Sequence, residues 1–359
     1  MRRSQPNQTV ARVCVAGVGS SGGLAINQLK QRGQHQVPCL SLQTDAVAFN
    51  SAAADHNLLL GDTLLRGSGT NGDPRLGAEA VKISRQALQQ ALNGAEILIL
   101  VAGLGGGTGS GAAPLLAQLA RHLGLLTIAV VTTPYPFETQ TRKLTAAAGL
   151  RALQRHADTT LVLDNERLLK LHGGQLAAPA ALHPAVSIVE DCLQTIGDFL
   201  CPNGILTVDI EDLRSIMSVG GQAFLARGQA DGDDRAVKAA EQATISQQLG
   251  ATVAEAQGVL VQVRGGSRLS LHEIEAAAAH IRQQMAANVE FAVGAVMDPE
   301  LGDRLQVSLI ATGLRRDSGP VARRAPAGLN PETSRQPGTD GQRTGRYSGP
   351  LSLGRLATY

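Results

Sequence analysis

The stretch GLGGGTGSG, residues 103–111, decides the fold of this chain. Six of its nine residues are glycine, and Thr108 and Ser110 add two hydroxyl groups. Only glycine lets a backbone approach a polyphosphate this closely and adopt positive φ angles repeatedly. A purely structural loop would not need so many glycines, because each one adds conformational entropy to the unfolded chain. The stretch therefore predicts a phosphate-binding turn.

Around this turn, strongly apolar runs alternate with helical patterns through the first half of the chain. The predicted strands are ARVCVAG, VPCLSLQTD, HNLLLG, EILILVAG, LLTIAVVTTP and TTLVLD, and the predicted helices cover 23–31, 75–92, 112–123 and 140–155. Runs that are apolar on both faces and alternate with helices predict a parallel sheet covered by helices on both sides. Ligands of such sheets bind at the carboxyl ends of the strands, where the glycine-rich turns fall.

The second half has a different pattern, which predicts a second, α+β domain. A long helix is expected over 184–200, another opens at TVDIEDLRSIM, and two more cover 233–247 and 270–285. GVLVQVRG, NVEFAVGAVM and RLQVSLIATG are predicted strands, the last two joined as a hairpin through DPELGD. After residue 314 the chain has eight arginines against three acidic residues and no periodicity. This tail is expected to be disordered, because it has too little apolar surface to offset the entropy of ordering.

Composition excludes several classes of function. The net charge of +2 gives no reason to expect a nucleic-acid or membrane partner. No run approaches the roughly 18 apolar residues of a membrane span, and the four separated cysteines suit a reducing, cytoplasmic setting. LHEIEAAAAH is not a zinc helix, since His272 and His280 are eight residues apart rather than four. No metal site is predicted.

A second glycine turn, GVGSSGGLA at 17–25, follows the first predicted strand. Its G-x-G-x-x-G spacing is typical of a dinucleotide-binding turn, and Asp45 lies where a ribose-binding acid is expected. A tight strand–helix turn without a ligand explains the same spacing. A nicotinamide-dependent oxidoreductase is disfavoured, because that reading leaves the turn at 103–111 unexplained and no hydride-transfer constellation is recognisable.

VAGLGGGTGSGAAP resembles the signature of the tubulin superfamily, and specifically its bacterial FtsZ branch. TDAVAF, VVTTPYPFE, NERLLK, VDIEDLRSIMS and DDRAVKAAEQA extend the resemblance over about 13–314. It implies a tubulin/FtsZ-like α/β fold with a parallel-sheet GTP-binding domain, a long central helix and a smaller α+β C-terminal domain. The expected boundaries are 1–10 for an N-terminal extension, 11–180 for the nucleotide-binding domain, 181–203 for the central helix, 204–314 for the C-terminal α+β domain, and 315–359 for the tail. It also implies head-to-tail protofilaments and GTP hydrolysis at subunit interfaces, with GTP, GDP and Mg²⁺ as cofactors.

The resemblance assigns site residues position by position. The positions matching nucleotide contacts are Gly19, Ser20, Ser21, Gly22, Gly23, Leu24, Gly105, Gly106, Gly107, Thr108, Gly109, Glu138, Arg142, Asn165 and Ser187. Asp209 and Asp212, with Thr207, match the segment that enters the next subunit's site, where two acids polarise the attacking water. Simpler explanations stand beside these: Asp209 and Asn165 as helix N-caps, and Glu138 as a solvated helix start.

The departures from the family concentrate where the base would bind. Leu24 replaces an Asn and Ser187 an Asp that contact guanine, and Leu182 replaces an aromatic residue that packs on the base. An acid that accepts hydrogen bonds from guanine contributes about 1.5–3 kcal/mol, so its loss should weaken guanine discrimination. Thr207 replaces an Asn in the catalytic loop.

Other departures lie in the phosphate-facing loops and the tail. Ser20 and Ser21 replace glycines, Asn71 and Asp73 alter the loop GSGTNGDP, and the tail lacks the acidic and apolar peptide that docks membrane tethers. Two hypotheses follow. The first is a divergent GTPase of cell division or a related cytoskeletal process, in the cytoplasm or at the division site. The second is a non-hydrolysing protein that co-assembles with a standard FtsZ and its division partners.

Overall fold

The computed structural model describes residues 12–33, 37–171, 183–201, 204–246 and 251–314. The strands are β1 Val13–Val18, β2 Cys39–Gln43, β3 His56–Leu59, β4 Ile97–Gly103, β5 Leu126–Thr132, β6 Thr159–Leu163, β7 Gln222–Ala230, β8 Ile245–Ser246, β9 Ala251–Thr252, β10 Gly258–Gly265, β11 Glu290–Met297 and β12 Leu305–Leu314. The helices are α1 Gly19–Arg32, α2 Ala46–Asn50, α3 Asp62–Leu65, α4 Pro74–Ile83, α5 Arg85–Ala91, α6 Gly107–His122, α7 Gln140–Leu153, α8 Asn165–Leu171, α9 His183–Phe199, α10 Ile210–Met217, α11 Arg235–Ala243 and α12 Leu271–Gln283. Short 3₁₀ helices occupy Val253–Glu255 and Pro299–Leu301.

Ten strands form one sheet in the order β11-β10-β12-β7-β6-β5-β4-β1-β2-β3. The run from β3 to β7 is parallel throughout, which confirms the parallel sheet predicted for the first half. Beyond β7 the sheet becomes mixed, because β12 pairs antiparallel with both β7 and β10 while β11 is parallel to β10. The two halves of the chain therefore share a continuous sheet.

Both faces of the parallel part are buried, as the apolar runs predict. Ile97, Ile99 and Val101 of β4 pack in one core with residues of α1 and α9. Leu98 and Leu100 of the same strand belong to a second core, which contains residues of α4 and α6. A third core joins α11 and α12 to the C-terminal strands. The side chains of β4 therefore alternate between the cores on the two faces of the sheet. The carboxyl end of this buried strand leads directly into the glycine-rich turn.

One expectation for the second half is wrong, and one strand was missed. β11 and β12 do not form a hairpin, because β10 lies between them and pairs with both. The helix α12 connects β10 to β11 as a crossover between parallel strands, and β12 then returns on the other side of β10. The strand β7 was not expected, and it joins the two halves through pairing with β6 and β12.

Several helix bounds also differ from the sequence expectation, and two of these matter for the site. α1 begins at Gly19 rather than at residue 23, and α6 begins at Gly107 rather than at 112. The glycine motifs are therefore the first turns of the helices themselves. The expected helix over 75–92 is divided into α4 and α5 at Ser84, whose hydroxyl accepts a hydrogen bond from Gly61 N–H at 2.9 Å.

Three parts of the chain that the sequence analysis discusses lie outside the described residues. They are the N-terminal extension, the segment 172–182 before α9, which includes Leu182, and the tail. Within the described part of the chain, no helix combines the length and apolar composition that crossing a membrane requires. The domain boundaries proposed from the sequence stay predictions.

Candidate functional site

The two glycine-rich turns open into one cavity of about 400 Å³. They do so because β1 and β4 are adjacent parallel strands, so that α1 and α6 begin at the same edge of the sheet. Gly19, Ser20 and Ser21 line the cavity from α1, and Gly106, Gly107, Thr108 and Gly109 line it from the start of α6. The first N–H groups of both helices lack intrahelical partners, and both helix dipoles are positive at this end. The cavity is therefore suited to an anion such as a phosphate chain.

The backbone of the second turn requires glycine at specific positions. Gly105 has a φ of +104°, and a Cβ added there would lie 2.7 Å from Cγ of Pro134. A Cβ on Gly107 would overlap the hydroxyl of Thr70. Gly106 differs, because a Cβ there would meet no heavy atom within 4 Å. Most of this turn is thus packed against its neighbours, while Gly106 faces open space.

The two hydroxyl residues of the turn have different roles. Thr108 lines the cavity. Ser110 is buried and does not line it, since its hydroxyl accepts a hydrogen bond of 2.8 Å from Gly105 N–H. Ser110 therefore stabilises the turn internally, and of the two only Thr108 is placed to contact a ligand.

Glu138 and Arg142 line the cavity beside the start of α7. The Glu138 carboxylate accepts from Tyr135 N–H at 2.8 Å and pairs with the Arg142 guanidinium at 2.6 Å. Tyr135 also lines the cavity, and its ring stacks on Phe137 with centroids 5.3 Å apart. Burial and the Glu138 carboxylate raise the pKa of Tyr135, so its hydroxyl stays protonated at neutral pH. This wall offers polar side chains next to an aromatic surface.

Asn165, the first residue of α8, is 5% exposed and lines the cavity. Its Nδ2 donates to the carbonyl of Thr133 at 2.6 Å, but its Oδ1 is buried without a partner. The N-cap explanation is wrong for this residue, because Asp164 accepts from the N–H of Glu166 instead. A buried acceptor without a partner is costly unless a ligand or water donates to it. Asn165 thus fits a ligand that carries hydrogen-bond donors, such as a nucleoside.

Sequence analysis missed several residues that build this site. Gln43, which is 2% exposed, donates through Nε2 to the carbonyl of Gly19 at 3.1 Å and to the Ser41 hydroxyl at 3.0 Å. Thr44 and Thr70 bond to the hydroxyl of Thr108. Further cavity-lining residues that were not predicted are Val18, Thr70, Gly72, Gly103, Leu104, Thr132, Thr133, Pro134 and Tyr135. The resemblance had placed the loop GSGTNGDP, which carries Thr70 and Gly72, near the phosphates without assigning a contact to either residue.

Comparison with known families agrees with this geometry. Residues 12–173 match the Tubulin/FtsZ family, GTPase domain, and residues 221–315 match the FtsZ family, C-terminal domain. The structure of the empty FtsZ dimer from M. jannaschii is similar at 32% identity, with a TM-score of 0.75 over 86% of this chain and 89% of that chain.

The chain belongs to the tubulin/FtsZ family.

More distant members of this family share the fold. CetZ2 from Haloferax volcanii, in a GTPγS-bound protofilament, is 22% identical with a TM-score of 0.70. CetZ1 from the same organism, a GDP-bound monomer, is 20% identical with a TM-score of 0.71. Each match covers 85% of this chain and 94% of the other. The two glycine-rich turns that line the cavity lie within the residues that match the GTPase domain of this family.

Five of the residues assigned to nucleotide binding do not line the cavity: Gly22, Gly23, Leu24, Gly105 and Ser187. Gly23 packs inside α1, where an added Cβ would overlap the Gln43 amide. Leu24 is 51% exposed on α1, and Ser187 is half-buried on α9. The base and phosphate contacts expected from the sequence both stay predictions, although most of the residues assigned to the phosphates line one cavity.

The acids assigned to catalysis lie apart from the cavity at the start of α10. Asp209 is the N-cap of this helix, and its carboxylate accepts from Asp212 N–H at 2.8 Å, which confirms the capping interpretation. Thr207, Asp209 and Asp212 are all exposed. A single subunit therefore does not bring these acids to its own glycine turns, and their carboxylates are accessible to a second molecule.

Proposed function

We propose that this chain binds GTP and GDP through the two glycine-rich turns and hydrolyses GTP where one subunit contacts the next. The observation that carries the proposal is the convergence of two helix N-termini, at Gly19 and Gly107, on one cavity. The N–H groups and dipoles of both helices favour a polyphosphate there. The unpartnered Oδ1 of Asn165 supports a nucleoside beside those phosphates.

Mg²⁺ is proposed to accompany the nucleotide. Among the described residues, no three His, Cys, Asp or Glu side chains are grouped so that they could hold a metal ion. Mg²⁺ commonly keeps several waters and binds through substrate phosphates rather than through a protein cage. We therefore expect the phosphates and water, with the Thr108 hydroxyl nearby, to provide its surroundings.

Head-to-tail assembly would complete the site. Asp209 and Asp212, at positions i and i+3 of one helical turn, share a face that can orient a water molecule. Both are exposed and neither lines the cavity of its own subunit, which supports their action on the nucleotide of a neighbouring subunit. Capping and catalysis are compatible, because one oxygen of Asp209 accepts from the backbone while the carboxylate remains at the surface.

The cellular role that fits is cell division or a related cytoskeletal process in the cytoplasm, with the division site as the specific location. Partners would be other copies of this chain, together with a standard FtsZ and its division proteins. An alternative is a non-hydrolysing structural or regulatory protein that co-assembles with a standard homologue. Thr207, Leu24 and Ser187 favour this alternative, because they replace groups that act on water and guanine in the family.

Sedimentation and phosphate release with GTP, with ATP and without nucleotide test the proposal. We expect GTP-dependent assembly and hydrolysis, and loss of hydrolysis without loss of GTP binding in Asp212→Ala. Glu211→Ala is the matched control, since its side chain is 78% exposed on the same helical turn but on a different face.

The possible outcomes separate the hypotheses. Absence of binding to any nucleotide at millimolar concentration would contradict the proposal. Nucleotide-dependent assembly without phosphate release would favour the non-hydrolysing alternative. A preference for ATP would exclude guanine recognition while leaving the phosphate cradle intact.

A further inference from the structure

Three threonine hydroxyls from separate segments meet at the wall of the cavity. Thr44 follows β2, Thr70 belongs to the glycine loop before α4, and Thr108 is the second residue of α6. The Oγ1 atoms of Thr44 and Thr108 are 2.7 Å apart, and those of Thr70 and Thr108 are 3.3 Å apart. Thr44 is 2% exposed and does not line the cavity, whereas Thr70 and Thr108 both line it.

The directions of these hydrogen bonds follow from counting hydrogens. Each hydroxyl has one hydrogen to donate and two lone pairs to accept. Within the described residues, the only hydrogen-bond partner of the Thr44 and Thr70 hydroxyls is Thr108. If Thr108 donated to Thr44, the buried Thr44 hydroxyl would have no acceptor for its own hydrogen, which is costly. Thr44 therefore donates to Thr108.

Thr70 and Thr108 are then left with one hydrogen for the cavity. One of their two hydroxyl hydrogens is used in the bond between them, so the hydrogen of the accepting hydroxyl points to the cavity and needs an acceptor there. An anionic phosphoryl oxygen is the strongest acceptor that such a hydroxyl can meet, because a hydrogen bond to an ionised group is about twice as strong as a neutral one.

We propose that Thr44 is a positioning residue, which orients the hydroxyl pair of Thr70 and Thr108 so that this pair donates a hydrogen bond to a phosphoryl oxygen of the bound nucleotide. The inference rests on the proposed function, because it says how hydroxyl groups of the nucleotide site contact the phosphate. It also links the phosphate to the loop that carries Thr70. That loop is further held by the hydrogen bond from Gly69 N–H to the carbonyl of Thr44 at 3.0 Å.

Equilibrium binding of GDP, GTP and inorganic triphosphate to the nucleotide-free, full-length protein tests the inference. A neutral hydrogen bond contributes about 0.5–1.5 kcal/mol. Thr44→Val and Thr70→Val should therefore each raise Kd roughly 2- to 10-fold. Thr44→Ser and Thr70→Ser keep the hydroxyl and should restore binding. Thr108→Val removes the hydroxyl that bonds to both of the others, and with it the oriented charge-assisted donor, so it should raise Kd roughly 10- to 100-fold.

A double-mutant comparison distinguishes positioning from a general structural role. In a Thr108→Val background, Thr44→Val should cause no further change in Kd, because the residue acts through the missing hydroxyl. Thr160→Val is the matched control. Thr160 is equally buried in β6 and its hydroxyl makes no hydrogen bond, so its removal should leave binding unchanged.

Three results would overturn the inference. One is a Kd of Thr44→Val and of Thr70→Val that equals the Kd of Thr160→Val. Another is a rise in Kd caused by Thr44→Val that is just as large in the Thr108→Val background as in the unmodified protein. If the unmodified protein bound none of the three probes, the proposed function would fail together with the inference. Normal binding with unaffected valine variants would remove the inference alone.

Discussion

Replacing Gly106 with aspartate separates the stability of the fold from its ability to bind phosphate. Gly106 is the N-cap of α6, with φ −92° and ψ 166° and no side-chain cap. An added Cβ meets no heavy atom within 4 Å, and the residue lines the cavity. Aspartate is compatible with this backbone and is among the preferred N-cap residues. Gly106→Asp should therefore fold.

The expected stability change is small and favourable. Aspartate at an N-cap gains a few tenths of a kcal/mol over glycine, and its charge at the positive end of the helix adds about 0.3–1 kcal/mol. Reduced entropy of the unfolded chain acts in the same direction. We expect a gain of about 0.5–1 kcal/mol, which raises Tm by roughly 1–4 °C for a domain of this size.

Nucleotide binding should change in the opposite direction and by much more. A carboxylate about 4–5 Å from a phosphate costs about 3–4 kcal/mol at an effective dielectric constant of 20. That repulsion corresponds to a roughly 10²- to 10³-fold increase in Kd. The new side chain also accepts from the N–H groups at the start of α6 that would otherwise bind phosphate.

Thermal unfolding without ligand and equilibrium binding of GDP measure the two effects. Gly106→Asn is the matched control, since it caps the helix without adding charge and should lose much less affinity. Binding of GDP by Gly106→Asp as tight as that of the unmodified protein would refute the placement of phosphates at α6. A fall in Tm of several degrees would refute the view that Gly106 faces open space.

Three further predictions concern other parts of the fold. Asp209→Asn should keep the cap of α10 and the stability, whereas Asp209→Ala should cost about 1 kcal/mol in urea unfolding. Both should lose hydrolysis, and GTP turnover retained in Asp209→Asn would contradict a role for the carboxylate. Gln43→Leu removes two buried hydrogen bonds, to the Gly19 carbonyl and the Ser41 hydroxyl, so the free energy of unfolding should fall by about 1–3 kcal/mol, and an unchanged value would contradict this role. The hydrogen bond from Arg235 lowers the pKa of Glu273, so its stabilisation is present above the unfolded pKa of about 4.3 and is lost as pH falls through the folded value. Between neutral and acidic pH, the free energy of unfolding of Glu273→Gln should therefore fall less than that of the unmodified protein. Parallel curves of this free energy against pH for the two proteins would contradict the prediction.

The parallel half of the sheet was predictable from the sequence because its strands are buried on both faces. β4 and β5 are continuous apolar runs, and that pattern specifies both the strand and its environment. The strand β7 lacks this signal, since QAFLARGQA carries Arg227, Gly228 and Gln229 in its second half. Its place in the sheet depends on pairing with β12, which is about 80 residues away along the chain.

The hairpin prediction failed for a related reason. The short segment between β11 and β12 suggested direct pairing, yet it contains the 3₁₀ helix Pro299–Leu301 and leads past β10. A crossover helix before β11 makes that strand parallel to β10, so the opposite side of β10 is left for β12. Sequence proximity alone does not choose between these pairings.

The phosphate side of the site was predictable because glycine spacing encodes backbone geometry directly. Gly19 and Gly105 adopt positive φ angles, as a glycine-rich turn implies. The roles of Gln43, Thr44 and Thr70 were not predictable, because each depends on a contact with a distant segment rather than on spacing. Likewise, the role proposed for the exposed acids of α10 depends on a second subunit, which the sequence of one chain does not show.

Mixing two inactive variants tests the central claim most directly. Asp212→Ala keeps the phosphate cradle but lacks a catalytic acid, whereas Gly106→Asp keeps the acids but has a blocked cradle. If each site is shared between subunits, neither variant alone should release phosphate from GTP, and the mixture should, with a maximum near equal amounts. A mixture as inactive as its components, or full hydrolysis by Asp212→Ala alone, would contradict a site completed by the neighbouring subunit.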